Sequence, residues 1–241
     1  PPAMRGQPHL TLASMGIYVF NSETLIRALD ADAADPQSQH DFGRNIIPSL
    51  IADGRMYAYA FYDENKKAAK YWRDIGTLDA YFDANMDLCR VNPEFNLYDP
   101  EWPLRTYMPP APPAKFVFGE AWRRGEAIDS LISHGCIVSG SQIVGSILCP
   151  NVRVHSFCQI EASILMPGVR VGRHARLRRA IVDRDVHIPR GAQIGYDADE
   201  DRRRHTVSEG GVVVVAPGEE PLIGPIDDEA LRLEAEADRR G

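Results

Sequence analysis

Residues Ile137–Gly195 read IVSGSQIVGSILCPNVRVHSFCQIEASILMPGVRVGRHARLRRAIVDRDVHIPRGAQIG, and one spacing runs through the whole stretch. Ile137, Val154, Val171 and Ile188 are 17 residues apart, as are Ile143, Ile160, Leu177 and Ile194, and again Leu148, Leu165 and Val182. Between the three sets the steps run 6, 5 and 6, so one coil has three short sides, each placing one aliphatic residue inside. Such a side is too short to bury an apolar face alone. Stacking coils about 4.8 Å apart gives each column a continuous core and pairs the backbone. Small or stiff residues fall between the sides at Gly140, Gly145, Pro150, Gly168, Gly172, Pro189 and Gly191. The spacing predicts a parallel β-helix of roughly three to four triangular coils; a β-sandwich has no reason to keep this period.

The repeat occupies about a quarter of the 241 residues, and 44% of the chain is hydrophobic, so a second unit is expected upstream. The net charge of −7 argues against a general nucleic-acid or membrane-surface binder. Charge is uneven, however. Gly168–Gly195 holds seven Arg against Asp183 and Asp185, while Ala216–Gly241 holds eight acids against three Arg. Cys89, Cys136, Cys149 and Cys158 show no CxxC spacing, which points to a reducing, cytoplasmic setting without zinc or a disulfide framework. No apolar run reaches membrane-spanning length and no signal peptide opens the chain. With Pro1, Pro2 and Gly6 ahead of the first strand, the chain reads as if it begins in mid-domain.

Upstream, strand and helix alternate, the α/β signature. Leu10–Phe20 reads as a strand, and Asn21 or Ser22 caps a helix with Leu25, Ile26 and Leu29 on one face. Asp41 precedes a helix with Ile46, Ile47, Leu50 and Ile51 facing inward, and Arg55–Tyr62 reads as another strand. Thr77 is placed to cap a helix running to about Leu88, which puts Asp74 in the turn before it. Proline-rich residues 96–115 read as a linker, and Ile226–Arg240 as a short surface helix in an acidic tail.

Five motifs in order then carry a resemblance: Ala13–Phe20, Asp41-Phe42-Gly43, Tyr71–Leu78 (Tyr-Trp-Arg-Asp-Ile-Gly-Thr-Leu), Pro112–Phe116 and Gly135–Gly140. Together they resemble the bacterial glucose-1-phosphate adenylyltransferases, over almost the whole chain up to about Ala216. The resemblance implies an α/β plus all-β fold, with part of a Rossmann-like nucleotidyltransferase domain (1–95), a linker (96–115), a left-handed β-helix of hexapeptide type for regulation and assembly (116–215), and an acidic tail (216–241). It implies a homotetramer that makes ADP-glucose and pyrophosphate from ATP and glucose 1-phosphate with Mg²⁺, committing carbon to glycogen. The family's Gly-rich phosphate loop, its second metal carboxylate and its Glu-Lys pair for the sugar phosphate have no counterpart here. A catalytically incomplete C-terminal portion is therefore expected.

By the same resemblance Asp74 is one of two carboxylates on Mg²⁺; otherwise it is a loop Asp serving the following helix. Trp72 resembles a wall of the sugar pocket, or else it is a core aromatic. Ser14, Tyr18, Asp41 and Phe42 are similar to residues lining the glucose 1-phosphate pocket, against plain packing for the aromatics and a helix cap for Asp41. Arg184 takes the register of Pro150 and Pro167, so a cation replaces a corner proline. It resembles an effector-sensing position, with Arg203 and Arg204 able to join it on an anion; the alternative is a basic surface paired with the acidic tail. Arg153, Arg170 and His187 should stack on one outer side, and Gln142, Gln159, Arg176 and Gln193 on another. Two other classes remain: a non-catalytic regulatory or assembly subunit, and a hexapeptide acyltransferase using one of His134, His155, His174 or His187.

Overall fold

The computed structural model describes residues 3–4, 6–11, 13–52, 56–63, 68–101, 103–119 and 123–219. The chain divides into two compact units between Lys70 and Tyr71.

The second unit is built on a parallel β-solenoid of three sheets, as the repeat requires. One sheet stacks Lys115–Val117, Ile137–Ser139, Arg153–Val154, Arg170–Val171 and His187–Ile188. A second stacks Glu126–Ile128, Gln142–Val144, Gln159–Glu161, Arg176–Arg178 and Gln193–Ile194. The third runs Leu131–Ile132, Ile147–Leu148, Ile164–Leu165, Ala180–Val182 and Val213–Val215, with Thr206–Val207 added antiparallel at its end. Five parallel rungs per sheet replace the three to four expected. The extra ones escape the sequence period because the strand Lys115–Val117 pairs with Ile137–Ser139, 22 residues on, and because residues 195–212 interrupt the chain before Val213–Val215.

The period locates two inward columns correctly. Ile143, Ile160, Leu177 and Ile194 stand in register, as do Leu148, Leu165 and Val182, all fully buried. The third column is off by one at its start. Arg153 pairs with Ile137 and Val154 with Val138, so Val138, fully buried, fills the place expected of Ile137. One coil is a residue shorter there, and a one-residue slip swaps the two faces of a strand. Outward columns follow the same registers: Arg153, Arg170 and His187 stack, and Gln142, Gln159, Arg176 and Gln193 form a ladder. In it Gln142 Nε2 donates to Glu126 (2.8 Å) and Arg176 Nε to Gln159 (3.1 Å).

The corners are set by backbone more than by residue type. Each repeats a left-handed residue once per coil: Asp129, Gly145, Ala162 and Arg179; Gly135, Asn151, Gly168 and Asp185; Gly140, Phe157, His174 and Gly191. Seven of these twelve are not glycine. The ladder bonds on both sides over-determine a conformation that L-residues rarely adopt. Serines line the first corner. Ser130, Ser146 and Ser163 each accept from the N–H one coil on (3.0, 3.0 and 3.2 Å), which satisfies donors the turn would otherwise bury. All four cysteines are free. Burial pushes the Cys158 thiol up to about 11, and its Sγ–H donates to Gly172 O (3.0 Å).

Helix α3 (Leu78–Asp87) lies in the same unit, capped by Thr77, whose Oγ1 accepts from Ala80 N–H (3.1 Å). Its Phe82 is buried among Ile164, Ile181 and Val212 on the outside of the third sheet. Residues 96–114, Trp102 apart, carry no helix or strand and lead into the first rung, where Gly135 N–H donates to Pro112 O (2.6 Å). Helix α4 (Ala198–Arg204) follows the last coil, with Asp199, Glu200 and Asp201 in its first turn and three Arg in its last, matching its dipole. The expected tail helix Ile226–Arg240 lies outside the described residues.

The first unit differs more from expectation. Helix α1 (Ser22–Ala33) is capped by Asn21, and a π-turn Phe42–Ile46 capped by Asp41 leads into α2 (Ile47–Ala52). The two expected strands do not form along their lengths. Among the described residues Gln7–Thr11 pairs only with Ala3–Met4, and Tyr62–Asp63 only with Ala68–Ala69, while residues 14–20 and 56–61 join no ladder; Leu12 and Arg55 lie outside the described residues. A strand needs a neighbour for its N–H and C=O groups, and the described residues supply none there. Ile17, Val19, Tyr57 and Tyr59 are accordingly exposed, as is Ile51 of the face expected to point inward; Ile46 alone of that face is fully buried. No described helix is long and apolar enough to cross a membrane.

Candidate active site

In the first unit, residues 14–42 gather one cluster. Gly16 takes a positive φ, which turns the chain so that Ser14 and Tyr18 meet, Ser14 Oγ lying 2.9 Å from Tyr18 Oη. Ser14 Oγ also accepts from Gly16 N–H (3.2 Å). The Tyr18 ring stacks on Phe42 (centroids 6.1 Å, 15° between planes), and Phe20 packs at a tilt on both. Asp41 stands at the start of this arrangement. Its Oδ1 accepts from Arg44 N–H (2.8 Å), the cap geometry, and its own N–H donates to Asn45 Oδ1 (3.3 Å). Three aromatic rings beside hydroxyls and a carboxylate suit a sugar, whose ring has apolar faces and a polar rim. Phe20 is the member that sequence reasoning missed. Its place two residues after Tyr18, on the same side of an extended chain, was the available signal.

The second unit holds Trp72 and Asp74, on an extended segment ahead of α3. The segment is held at several points. Tyr71 stacks on Phe95 (5.1 Å), and Arg73 pairs with Glu94 (3.3 Å). Glu94 N–H in turn donates to the buried Asp87 (2.9 Å), which also takes Arg90 (3.0 Å). Asp87 thus ties the end of α3 to the loop that supports the start of it. Trp72 is 46% exposed. Asp74 is exposed; Oδ1 accepts from Gly76 N–H (3.1 Å), which fixes the carboxylate without using its second oxygen. A hard, charged oxygen donor in solvent-facing loop geometry has the chemistry of a ligand for a divalent cation. No group of three or more His, Cys, Asp or Glu side chains placed to hold a metal ion occurs among the described residues.

The cationic residues lie along the solenoid. Arg184 is exposed at the corner after Val182, and its N–H donates to Asp183 (2.6 Å). Arg203 and Arg204, on α4, both pair with Glu200. On the other outer side His155 is held below the ordinary histidine range by burial and then by Arg153, Arg173, His187 and Arg170 around it.

Comparison with known proteins fits both units. Residues 5–91 match the nucleotidyl transferase family, and residues 112–215 match the GlmU-like, C-terminal hexapeptide family. The chain is 53% identical over 208 residues to the glucose-1-phosphate adenylyltransferase of Koribacter versatilis (strain Ellin345), covering 86% of this chain and 50% of that protein. It is 52% identical over 219 residues to the one from Yersinia pseudotuberculosis serotype O:1b, covering 89% and 51%. With that of Granulibacter bethesdensis it shares 47% over 227 residues, covering 92% and 54%. The chain spans about half the length of these curated relatives. By sequence the chain is similar, over most of its own length, to the glucose-1-phosphate adenylyltransferases, and its two matched segments are those of a nucleotidyl transferase and a GlmU-like hexapeptide region.

Proposed function

We propose that this chain is part of a sugar-phosphate nucleotidyltransferase that makes ADP-glucose and pyrophosphate from ATP and glucose 1-phosphate, the step that commits glucose to glycogen. The observation that carries the reading is the Asp74 loop: a carboxylate pinned through one oxygen and open at the other, inside the segment that matches the nucleotidyl transferases. Asp74 would hold Mg²⁺, which when bound offsets phosphate charge and aligns the reacting groups. The other roles fall to this chain's own residues. Phe42, Tyr18 and Phe20 offer a face for the glucose ring, and Ser14 and Tyr18 a pair of hydroxyls for its rim. Trp72, half exposed two residues before Asp74 in sequence, is proposed as a further substrate-binding residue. The domain layout proposed is 1–95 within the catalytic domain, 96–115 as connector, 116–215 as the regulatory and assembly solenoid, and 216–241 as acidic tail, in a cytoplasmic homotetramer. The test is pyrophosphate release from ATP and glucose 1-phosphate by a polypeptide of the relatives' full length carrying this chain, the complete enzyme. Turnover supports the reading; a folded, inactive protein would make a regulatory or assembly subunit the better one.

Arg184, Arg203 and Arg204 are proposed to bind a sugar-phosphate or similar anionic effector. Glu200 is no obstacle, since exposed ion pairs are worth only about 0–1 kcal/mol and a phosphate dianion competes well with one carboxylate. Arg184→Ala is expected to shift the activation curve of the complete enzyme to about tenfold higher effector concentration, the loss of roughly one charge-assisted bond. An unmoved curve would take Arg184 out of the effector site.

A further inference from the structure

The first turn of α3 makes a contact that its own helix does not need. Asp79 Oδ1 accepts from Ser208 Oγ (2.5 Å) and Oδ2 from Gly210 N–H (3.1 Å), partners 129 and 131 residues away. These bonds, the Ser208 one first, hold the Asp79 carboxyl below the usual range. The receiving loop is itself stiff. Ser208 Oγ accepts from Val212 N–H (2.9 Å), Ser208 N–H donates to Val212 O (2.9 Å), and Gly211 N–H to Ser208 O (3.1 Å). The approach is close: a Cβ on Gly210 would meet Asp79 Oδ1 at 2.5 Å. Arg179, the last left-handed residue of the first corner series, closes the joint from the side, donating to Gly210 O (3.0 Å) with its guanidinium 5.1 Å from the Phe82 ring. One turn on, Phe82 is buried on the solenoid wall. Helix α3 therefore starts where the solenoid ends, held by both oxygens of one side chain.

That start governs the Asp74 loop. Thr77 caps α3, Gly76 precedes the cap, and Gly76 N–H holds Asp74 Oδ1. Four residues separate Asp74 from Asp79, among them the cap of the helix, so little play remains once Asp79 is fixed. We infer that Asp79, clamped by Ser208 and Gly210, is a positioning residue that holds the Asp74 carboxylate in its working place, making the end of the solenoid part of the catalytic geometry. This rests on the proposed role of Asp74. It also gives the solenoid a function in the reaction itself, beyond assembly.

Two measurements test it together. In the 241-residue chain, Asp79→Asn should speed amide hydrogen exchange at residues 76–80 and at Gly210 by about tenfold or more while leaving the solenoid core at residues 160–182 unchanged. In the complete enzyme, Asp79→Asn and Ser208→Ala should each lower kcat about tenfold with both KM values within about twofold, the pattern of lost transition-state alignment. Because both variants open one clamp, the double variant should be no slower than the slower single one, and Ser208→Thr, which keeps the hydroxyl, should retain wild-type kcat. Unchanged exchange overturns the clamp. Faster exchange with unchanged kcat overturns the positioning role and leaves a structural tie. An inactive wild-type enzyme would instead remove the functional reading, and the exchange result would still decide the clamp.

Discussion

Leu165→Ala is expected to lower the unfolding free energy of the chain by about 2–5 kcal/mol, and toward the upper end of that range. Leu165 is fully buried between Leu148 and Val182, in the inward column of the third sheet. The cost of such a truncation depends on how far the surroundings can close over the hole. Here they are held apart, because ladder bonds fix each rung at the parallel-strand spacing; Met166 N–H to Val182 O and Cys149 N–H to Leu165 O, both 2.9 Å, are two of them. Leu165→Met, which conserves volume, should cost less than about 1.5 kcal/mol. Urea unfolding followed by far-ultraviolet circular dichroism compares the three proteins. A loss below about 1 kcal/mol for Leu165→Ala would mean that the column does not form a close-packed core.

That column was readable because a solenoid repeats its physics. Each inward position has the same neighbours above and below, so the same residue type recurs at 17, and Ile143–Ile194 and Leu148–Val182 follow directly. The Val138 slip and the outermost rungs were not readable, since they sit where coil length changes and periodicity has nothing to count. Corner conformation was only half readable: Gly168 announces a left-handed turn, while Phe157, His174 and Arg179 adopt one without any local sign. In the first unit, Ile17 and Val19 alternate as strand residues do, but alternation states a preference for a partner and does not provide one.

The candidate sites divide in the same way. Ser14, Tyr18 and Phe42 lie within 28 residues of one another, and motif reading was enough to single them out before the structure brought them together. Asp74 was visible as a loop residue ahead of a capped helix. Asp79 was not, for nothing near it in sequence shows that both its oxygens are engaged by a loop 129 residues on. Long-range polar contacts leave no periodic trace.

Asp74→Asn in the complete enzyme is expected to lower kcat by about 100- to 1,000-fold, the loss of several kcal/mol of charge stabilisation at the reacting phosphate. The substitution is chosen for what it keeps. An Asn Oδ1 still accepts from Gly76 N–H, and its volume matches that of Asp, so the turn ahead of α3 remains as it is and only the charge goes. The melting temperature should therefore stay put, and the Mg²⁺ concentration for half-maximal rate should rise. If Asp74 were only a turn residue serving the start of α3, the same change would be nearly neutral, because Asn and Asp perform that task almost equally well. A kcat within about threefold of wild type at saturating Mg²⁺ would thus assign Asp74 to the turn. Comparison with Asp79→Asn separates ligand from support. Loss at Asp74 should be deeper and should move with Mg²⁺, whereas loss at Asp79 should be shallower and insensitive to it, since added metal cannot restore a carboxylate held in the wrong place.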